Sequence, residues 1–234
     1  MSLKPVKRLY KEARAVDAGE HFAVHLDDRP LRTPAGAHLL VPSQGLARAI
    51  AEEWAAQEET IAPHAMPLTG LACTALDLVA ARRAAVIEEL ADYGATDAIC
   101  YRADRPPELV ARQDAVWQPL VHWAADRYDA RLEITTSILA AAQPEDTLEA
   151  LKGAVAGHGD LPLAALATAV KASGSLVVGL ALVEGRLDHE GAFQAGELHE
   201  TYQIDTWGED PEETKRREGV RRDLAAVAAL VGLL

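Results

Sequence analysis

The sequence is poor in cysteine: Cys73 and Cys100 are the only two thiols among 234 residues. Two cysteines provide neither a scaffold of several disulfides nor, within one chain, a four-thiolate zinc site. Cys73 falls on the apolar side of a predicted helix, and Cys100 directly follows Ala98 and Ile99. The pattern favours buried structural thiols and a reducing compartment.

Basic side chains are also scarce. The chain has 23 Lys and Arg residues against 36 Asp and Glu residues, which gives a net charge of −13. A protein that binds nucleic acid or an anionic membrane needs a basic surface to neutralise phosphate groups. The composition therefore disfavours both classes of partner.

The sequence has no apolar run that is long enough for a membrane span. The run from Leu176 to Val183 is far shorter than the roughly 20 residues that a transmembrane helix needs. The basic stretch from Met1 to Arg14 is not followed by the apolar segment of a secretory signal, and Glu12 interrupts the pattern of an organellar transit peptide. We expect a soluble, cytoplasmic protein without direct membrane insertion.

Motifs for cofactors and metals are lacking as well. Gly174 and Gly179 have the spacing of a phosphate-binding loop, but Leu180 and Ala181 stand where Lys and Ser or Thr should follow. The histidine pairs, His21 with His25 and His189 with His199, do not match the spacing of a zinc site. No cofactor and no metal site is therefore predicted.

Alanine is abundant, with 46 residues, and it is the strongest helix former. Before the first helix, however, residues 6–42 show strand and turn patterns. Phe22, Val24 and Leu26 alternate with polar or small residues, and short strands are expected at Leu31–Thr33 and His38–Val41. These segments predict a small antiparallel sheet.

The pattern changes to helical at Ser43, which is placed to cap a helix whose apolar positions include Leu46, Ile50 and Trp54. Thr60–Pro67 is typical of a linker, because it contains two prolines and little periodicity. We therefore predict an α+β chain. Residues 1–66 form a small N-terminal domain with a sheet and one helix, and residues 67–234 form a larger all-helical domain.

Helical segments dominate the second domain. They are expected to end near Gly94, to begin at Pro106–Pro107, to span Glu145–Ala156, to end at Ala172, to run from Asp188 to about Thr206, and to begin at Pro211. Leu176–Val183 fits either a buried strand or a buried helix by periodicity. Its helical neighbours favour the helix.

One segment near the C-terminus combines acids with aromatic side chains. Its carboxylates surround Tyr202 and Trp207; they are Glu197, Glu200, Asp205, Glu209 and Asp210. Aromatic anchors beside charges suit a protein interface. The alternative is a helix end with buried aromatic residues and solvated acids.

Several motifs follow one another in an order that resembles a known family. They are Arg29-Pro30-Leu31-x-Thr33-Pro34, Glu53-Trp54, Glu59-x-Ile61, Met66-Pro67-Leu68-Thr69, Thr74-Ala75-Leu76-Asp77, Thr96-Asp97-x-Ile99-Cys100-Tyr101-Arg102, Trp117-x-Pro119-Leu120-x-x-Trp123-Ala124, the small-residue run from Ser173 to Gly185, and Glu200-Thr201-Tyr202-Gln203-Ile204-x-x-Trp207-Gly208. Together they resemble the F-type ATP synthase assembly chaperones that handle the alpha subunit of the catalytic head. The family occurs in alphaproteobacteria and mitochondria.

The resemblance implies a sheet-containing domain joined to a helical one, and a function without catalysis. Members of the family bind the unassembled alpha subunit and prevent its aggregation until the beta subunit replaces them. The implied location is the bacterial cytoplasm, or the mitochondrial matrix for eukaryotic relatives. We expect a monomer, because a chaperone that covered its own binding face would compete with its client.

The resemblance also nominates residues. An acid of the C-terminal domain is important in the family, and Glu200 or Glu197 takes that part here, with Tyr202, Asp205 and Trp207 as further partner contacts. Four other motif residues are expected to be structural or to touch the partner: Trp54, Asp77, Asp97 and Arg102. Two alternatives stay open, a helical adaptor for another protein and a small enzyme that uses a cysteine or a histidine.

Overall fold

The computed structural model describes residues 6–137 and 141–234. Four short strands come first, and helices make up most of the remaining described chain. The predicted α+β fold, a small antiparallel sheet followed by helices, is confirmed. Residues 1–5 of the basic N-terminal stretch lie outside the described residues.

The sheet is built around one central strand. β2 (Phe22–Leu26) pairs antiparallel with β1 (Ala13–Asp17) on one side and with β3 (Arg29–Pro30) and β4 (Leu40–Val41) on the other. The predicted strand at Leu31–Thr33 is wrong, since only an isolated bridge joins Arg32 to His38. Prolines on both sides of this segment restrict the backbone and remove two of the donors that a ladder needs.

The first helix, α1 (Gln44–Ala55), begins where Ser43 caps it. The Ser43 hydroxyl accepts a hydrogen bond from the Leu46 amide over 3.0 Å, as the sequence predicts. Leu46, Ala47 and Ile50 are fully buried on the face that packs against β1 and β2. This helix closes the apolar side of the sheet.

Three helical segments follow directly one after another in the sequence. They are α2 (Pro67–Thr74), a π-helical turn (Ala75–Val79) and α3 (Ala80–Ala95). Arg82 departs from helical geometry, with φ −129° and ψ 26°, and bends the chain inside α3. The predicted end near Gly94 agrees with the end of α3.

Seven further helices follow in the described residues, and the predicted starts at Pro106–Pro107, Glu145 and Pro211 agree with them. The seven helices are α4 (Pro107–Tyr128), α5 (Glu145–Ala156), α6 (Asp160–Ser173), α7 (Leu176–Val183), α8 (His189–Gly196), α9 (Leu198–Trp207) and α10 (Pro211–Gly232). The single helix predicted from Asp188 to about Thr206 is wrong. Glu197, at φ −102° and ψ 21°, separates α8 from α9.

All eight residues of α7 are buried, and α6, α8 and α4 pack around it. The Ser175 hydroxyl caps this helix by accepting from the Val178 amide over 3.0 Å. The helix prediction for Leu176–Val183 is confirmed. In the parts of the chain that the structure describes, no helix is long and apolar enough to cross a membrane.

The chain divides into two compact units by spatial proximity. Among the described residues, those from 6 to 82 form one unit together with 229–234, and those within Arg83–Ala228 form the other. Spatial grouping does not test independent folding. The domain boundary predicted after residue 66 therefore stays a prediction.

Candidate functional site

An open groove lies between α9 and the first turns of α10. Gly208 ends α9 with a left-handed backbone at φ +93°, a conformation that glycine adopts without strain, and the chain then turns into α10. The groove has a volume of about 520 Å³ and is lined by Ile204 and Trp207 from α9. Both helices belong to the second unit over this stretch.

The groove is acidic. Its lining contains the carboxylates of Glu200, Asp210, Glu212 and Glu213, and a single cation, Arg216. The side chains of the first three make no ion pair with any described residue, whereas Glu213 pairs with Arg216 over 2.6 Å. Uncompensated carboxylates that share one cleft reinforce each other's attraction for a positive ligand.

Trp207 is the most exposed aromatic feature of this surface, with 76% of its area accessible. The alternative, that the aromatic residues of this segment are buried, is therefore wrong for Trp207. A large exposed ring beside carboxylates offers a partner apolar contact area and charge selection together.

Tyr202 and Asp205 have intramolecular partners. The Arg112 guanidinium of α4 donates to Asp205 Oδ2 over 2.7 Å and lies 5.4 Å from the centre of the Tyr202 ring. Both side chains thus help to fix α9 against α4. The Asp205 side chain is about half exposed, so it also remains accessible from solvent.

Glu197 is buried and does not line the groove. Its carboxylate accepts hydrogen bonds from both terminal nitrogens of Arg216, at 2.9 and 2.5 Å, and lies 3.3 Å from Arg217 Nε. Of the two candidate acids, Glu200 is the one whose carboxylate faces the groove.

In the first unit, Glu53 and Trp54 hold the start of α2. The Glu53 carboxylate accepts from the Leu68 and Thr69 amides, at 2.7 and 2.8 Å, and from the Thr69 hydroxyl at 2.7 Å. The Trp54 indole donates to the same hydroxyl oxygen over 3.2 Å and packs 5.8 Å from the Tyr10 ring. These contacts support a packing role for Trp54.

Asp77 lies in the π-helical turn and binds a loop of the sheet region. Its Oδ2 accepts from the Ala35 amide over 3.0 Å, while Oδ1 is buried and has no hydrogen-bond partner among the described residues. The contact ties Ala35, the residue after the Arg29–Pro34 motif, to the Thr74–Asp77 motif.

Asp97 and Arg102 are both buried in the second unit. Asp97 accepts from the Val177 amide over 3.0 Å and from the Ile99 amide over 3.2 Å, and burial raises the pKa of its carboxyl. Arg102 donates to the Ile99 carbonyl and to Asp114, and its guanidinium lies 5.4 Å from the centre of the Trp117 ring. Both residues connect neighbouring segments of the fold.

Burial has the largest effect on the pKa of both cysteines, and the positive charge of Arg102 offsets it only in part at Cys100. Burial raises the pKa of Cys100 to about 12 and that of Cys73 to about 11. Cys100 is buried, as predicted, whereas Cys73 is only partly buried. In the described ranges, no three His, Cys, Asp or Glu side chains are placed to share a metal ion.

Comparison with known proteins gives consistent results. The model of the ATP12 chaperone protein family matches residues 7–125. The crystal structure of Atp12 from Paracoccus denitrificans superposes with a TM-score of 0.91 at 38% identity, over 97% of this chain and 98% of that one. The chain belongs to the ATP12 chaperone family.

Two further proteins are similar to this chain. The mitochondrial protein atp12 of Schizosaccharomyces pombe is 26% identical over 96% of this chain and 81% of its own length. A structure from Agrobacterium tumefaciens matches with a TM-score of 0.91 and 35% identity, over 97% of this chain and 85% of that one. The family predicted from the motifs is confirmed.

For this ATP12-family chain, sequence reasoning missed the part of the groove that α10 contributes. The spacing of Glu213 and Arg216 predicts a pair within one helix turn. It carries no signal for the contact from Arg216 to Glu197, because that contact depends on how α10 packs. The sequence therefore does not indicate three residues that line the groove, namely Glu212, Glu213 and Arg216.

Proposed function

We propose that the chain is an assembly chaperone of F-type ATP synthase. It binds the unassembled alpha subunit of the catalytic head through the acidic groove and prevents its aggregation until the beta subunit replaces it. Membership of the ATP12 chaperone family supports this function. The observation that carries it is the exposed Trp207 ring in a groove whose Glu200 carboxylate has no ion-pair partner among the described residues.

The geometry fits a client segment that carries a basic side chain next to apolar ones. The basic group would pair with Glu200, and the apolar residues would cover Trp207 and Ile204 and exclude water from the pair. A hydrogen bond between charged groups is worth more than a neutral one, and the apolar cover strengthens it further.

Such a chaperone needs no catalytic step. An unassembled subunit of an obligate oligomer exposes a large apolar face, which aggregates unless it is covered. The beta subunit has only to bind the same face more tightly to displace the chaperone by mass action. We further propose that the free chaperone is a monomer, located in the cytoplasm in bacteria and in the mitochondrial matrix in eukaryotic relatives.

Co-expression with the alpha subunit tests the proposal. Soluble alpha subunit should increase and co-purify with the wild-type chain. Glu200→Gln, which removes the charge and keeps the shape, should weaken the complex about 10-fold or more, as expected for a lost charged hydrogen bond. Trp207→Ala should weaken it to a similar degree, since exposed aromatic anchors are frequent hot spots.

Glu209→Gln is the matched control. Glu209 is exposed, lies in the same segment and does not line the groove, so its variant should bind the alpha subunit like wild type. The proposal fails if the alpha subunit does not bind the wild-type chain. The groove is the wrong surface if Glu200→Gln and Trp207→Ala both bind like the control.

A further inference from the structure

The first turns of α10 contain no fully buried side chain. None of residues 211–223, all of which are described, is buried, and the first buried side chain of the helix is Leu224. Helices in proteins are held mainly by an apolar face packed on a neighbour. This stretch, which supplies one wall of the groove, therefore depends on other contacts.

Arg221 of α10 pairs with Glu190 over 3.1 Å and lies 4.0 Å from the centre of the Phe193 ring, and the other contacts converge on Glu197. Its side chain is only 4% exposed and faces two guanidinium groups of α10, with Arg216 bound through both carboxylate oxygens and Arg217 beside one of them. Bidentate pairing of this kind fixes orientation as well as distance. We call Glu197, Arg216 and Arg217 the clamp.

Further contacts extend the clamp on both sides. Arg217 also donates to the Thr201 hydroxyl over 2.7 Å, and that hydroxyl donates to the Glu197 carbonyl over 2.7 Å. The Arg217 guanidinium lies 5.3 Å from the centre of the Phe193 ring of α8. The clamp thus joins α8, α9 and α10 at the point where the first two helices meet.

The clamp reaches the groove through Arg216. This residue lines the groove and pairs with Glu213, and the hydrogen bonds that its guanidinium donates to Glu213 and then to Glu197 raise its pKa. Arg216 and Arg217 together offset the charges of Glu197 and Glu213, whereas Glu200, Asp210 and Glu212 make no ion pair with any described residue. The charge that a ligand meets is therefore set by where the clamp holds α10.

We propose that Glu197 is the positioning residue of the acidic groove. It holds the first turns of α10 against α9 through Arg216 and Arg217, and it does so without touching a bound partner. Glu200 and Glu197 then have separate roles, recognition for the first and positioning for the second. Only the effect on partner binding rests on the proposed function, because positioning is measurable on the free protein.

Hydrogen exchange on the free protein is the first test. Glu197→Gln removes the charge that two guanidinium groups face, so the amides of residues 214–219 should exchange at least 10-fold faster than in wild type. Glu200→Gln removes the same charge from the groove side and should leave these amides unchanged. Wild-type exchange in Glu197→Gln would overturn the proposal.

Caesium quenching of tryptophan fluorescence is the second test. Caesium ions concentrate in an acidic groove, and the part of the quenching that Trp207→Phe removes reports on Trp207 alone. In the Glu197→Gln background this part should fall to half or less, because the carboxylates of α10 leave their places beside the ring. An unchanged value would contradict the proposal.

Variants of Arg216 keep the test valid if Glu197→Gln does not fold. Arg216→Gln leaves Glu197 with Arg217 alone and should speed exchange of the same amides by at least 5-fold. Lys215→Gln is its control, since Lys215 is exposed and removes the same charge from the adjacent position. Equal exchange in these two variants would overturn the proposal.

Binding of the alpha subunit separates the two proposals. Glu197→Gln should weaken binding at least 5-fold and change exchange in α10, whereas Glu200→Gln should weaken binding only. If wild type does not bind the alpha subunit, the proposed function fails and the exchange results still decide the role of Glu197. If Glu197→Gln binds like wild type while α10 is loosened, Glu197 does not position the groove for this partner.

Discussion

Asp97 caps two helical elements with one buried carboxylate. It accepts from the Ile99 amide in the 3₁₀ turn Ala98–Cys100 and from the Val177 amide at the start of α7. Removing the carboxylate leaves buried amide donors without partners, which costs the full desolvation of each group. Asp97 is thus better explained as a structural residue than as a partner contact.

We predict that Asp97→Ala lowers the free energy of unfolding by about 2–4 kcal/mol, from lost caps and unsatisfied amides. Urea titration followed by circular dichroism measures the change. Asp92→Ala, an exposed change on α3, should stay within about 0.5 kcal/mol of wild type. Similar losses in the two variants would contradict the capping role.

The cysteines bear on the alternative of a thiol enzyme. A nucleophilic cysteine has a lowered pKa, because only the thiolate reacts. Burial instead raises the pKa of Cys100 to about 12 and that of Cys73 to about 11. These directions disfavour catalysis by either thiol.

We predict slow alkylation of both thiols in the native protein. At pH 7.5 the thiolate fraction of a group with a pKa near 11 is below roughly 0.1%, so iodoacetamide should react at least 10-fold more slowly than with the urea-unfolded chain. Mass spectrometry of quenched time points measures both sites. A thiol that reacted faster in the native protein would revive the enzyme alternative.

At the level of single residues, the sequence predicts the local cap at Ser43 well, because donor and acceptor lie three residues apart. It does not predict that the Glu53 carboxylate binds the Leu68 and Thr69 amides, although the two motifs are both visible in the sequence. The sequence singles out the segment 197–210 as a candidate interface, but it does not indicate which of the acids in this segment is buried. Burial of Glu197 depends on the packing of α10, which no local pattern encodes.

The helix α2 depends on a side chain from α1. Its start has proline at the first position and no side-chain cap of its own, and Glu53 supplies the acceptors instead. Helix N-termini leave amides unpaired and favour a negative charge nearby. This explains why the Glu53-Trp54 and Met66–Thr69 motifs occur together.

We predict that Glu53→Ala costs about 2 kcal/mol of unfolding free energy, the loss of a cap with three hydrogen bonds. The Leu68 and Thr69 amides should also exchange faster with solvent. Glu52→Ala, on the exposed side of α1, is the control and should change stability by less than about 0.5 kcal/mol. Unchanged exchange at both amides would refute the cap.

The contact of α7 with α6 needs glycine at position 179. A Cβ atom there would lie 2.7 Å from Val170 Cγ2 and 3.2 Å from Leu166 Cδ1. Such distances force the two helices or their side chains to move. The glycine spacing that resembles a phosphate loop in the sequence is thus explained, at Gly179, by close helix packing.

We predict opposite effects for two glycine substitutions. Gly179→Ala should destabilise the protein by about 1–3 kcal/mol through overpacking. Gly153→Ala, in α5, meets no atom within 4 Å and should stabilise by about 0.5–1 kcal/mol, because alanine is the better helix former. Urea midpoints at equal m-values measure both, and a stabilising Gly179→Ala would contradict the packing.

At the level of elements, helix starts were predictable because Pro107 and Pro211 mark first turns by local chemistry. The break at Glu197 was not, since helical periodicity continues across it and only the tertiary contacts of α10 distinguish the two halves. The paired strand Ala13–Asp17 was also missed. Its residues lack clear alternation, and the pairing with Phe22–Leu26 forms it.

Over the whole molecule, the net charge of −13 is spread unevenly between the groove and the rest of the described surface. Acids occur along the whole sequence, whereas the groove brings three carboxylates without ion pairs among the described residues close to one exposed ring. Long-range attraction to a basic client should therefore act mainly on the rate of association, and the apolar contact of Trp207 mainly on the rate of dissociation.

We predict a strong salt dependence of association with the alpha subunit. Between 0.1 and 1 M NaCl the screening length falls from about 10 to about 3 Å, so the association rate constant should fall about 10-fold or more while the dissociation rate constant changes little. Glu200→Gln should flatten this dependence, because it removes groove charge. Trp207→Ala should raise the dissociation rate constant and keep the wild-type salt slope. Stopped-flow fluorescence of a labelled alpha subunit measures both rate constants, and an association rate that did not respond to salt would show that the acidic groove does not attract the client.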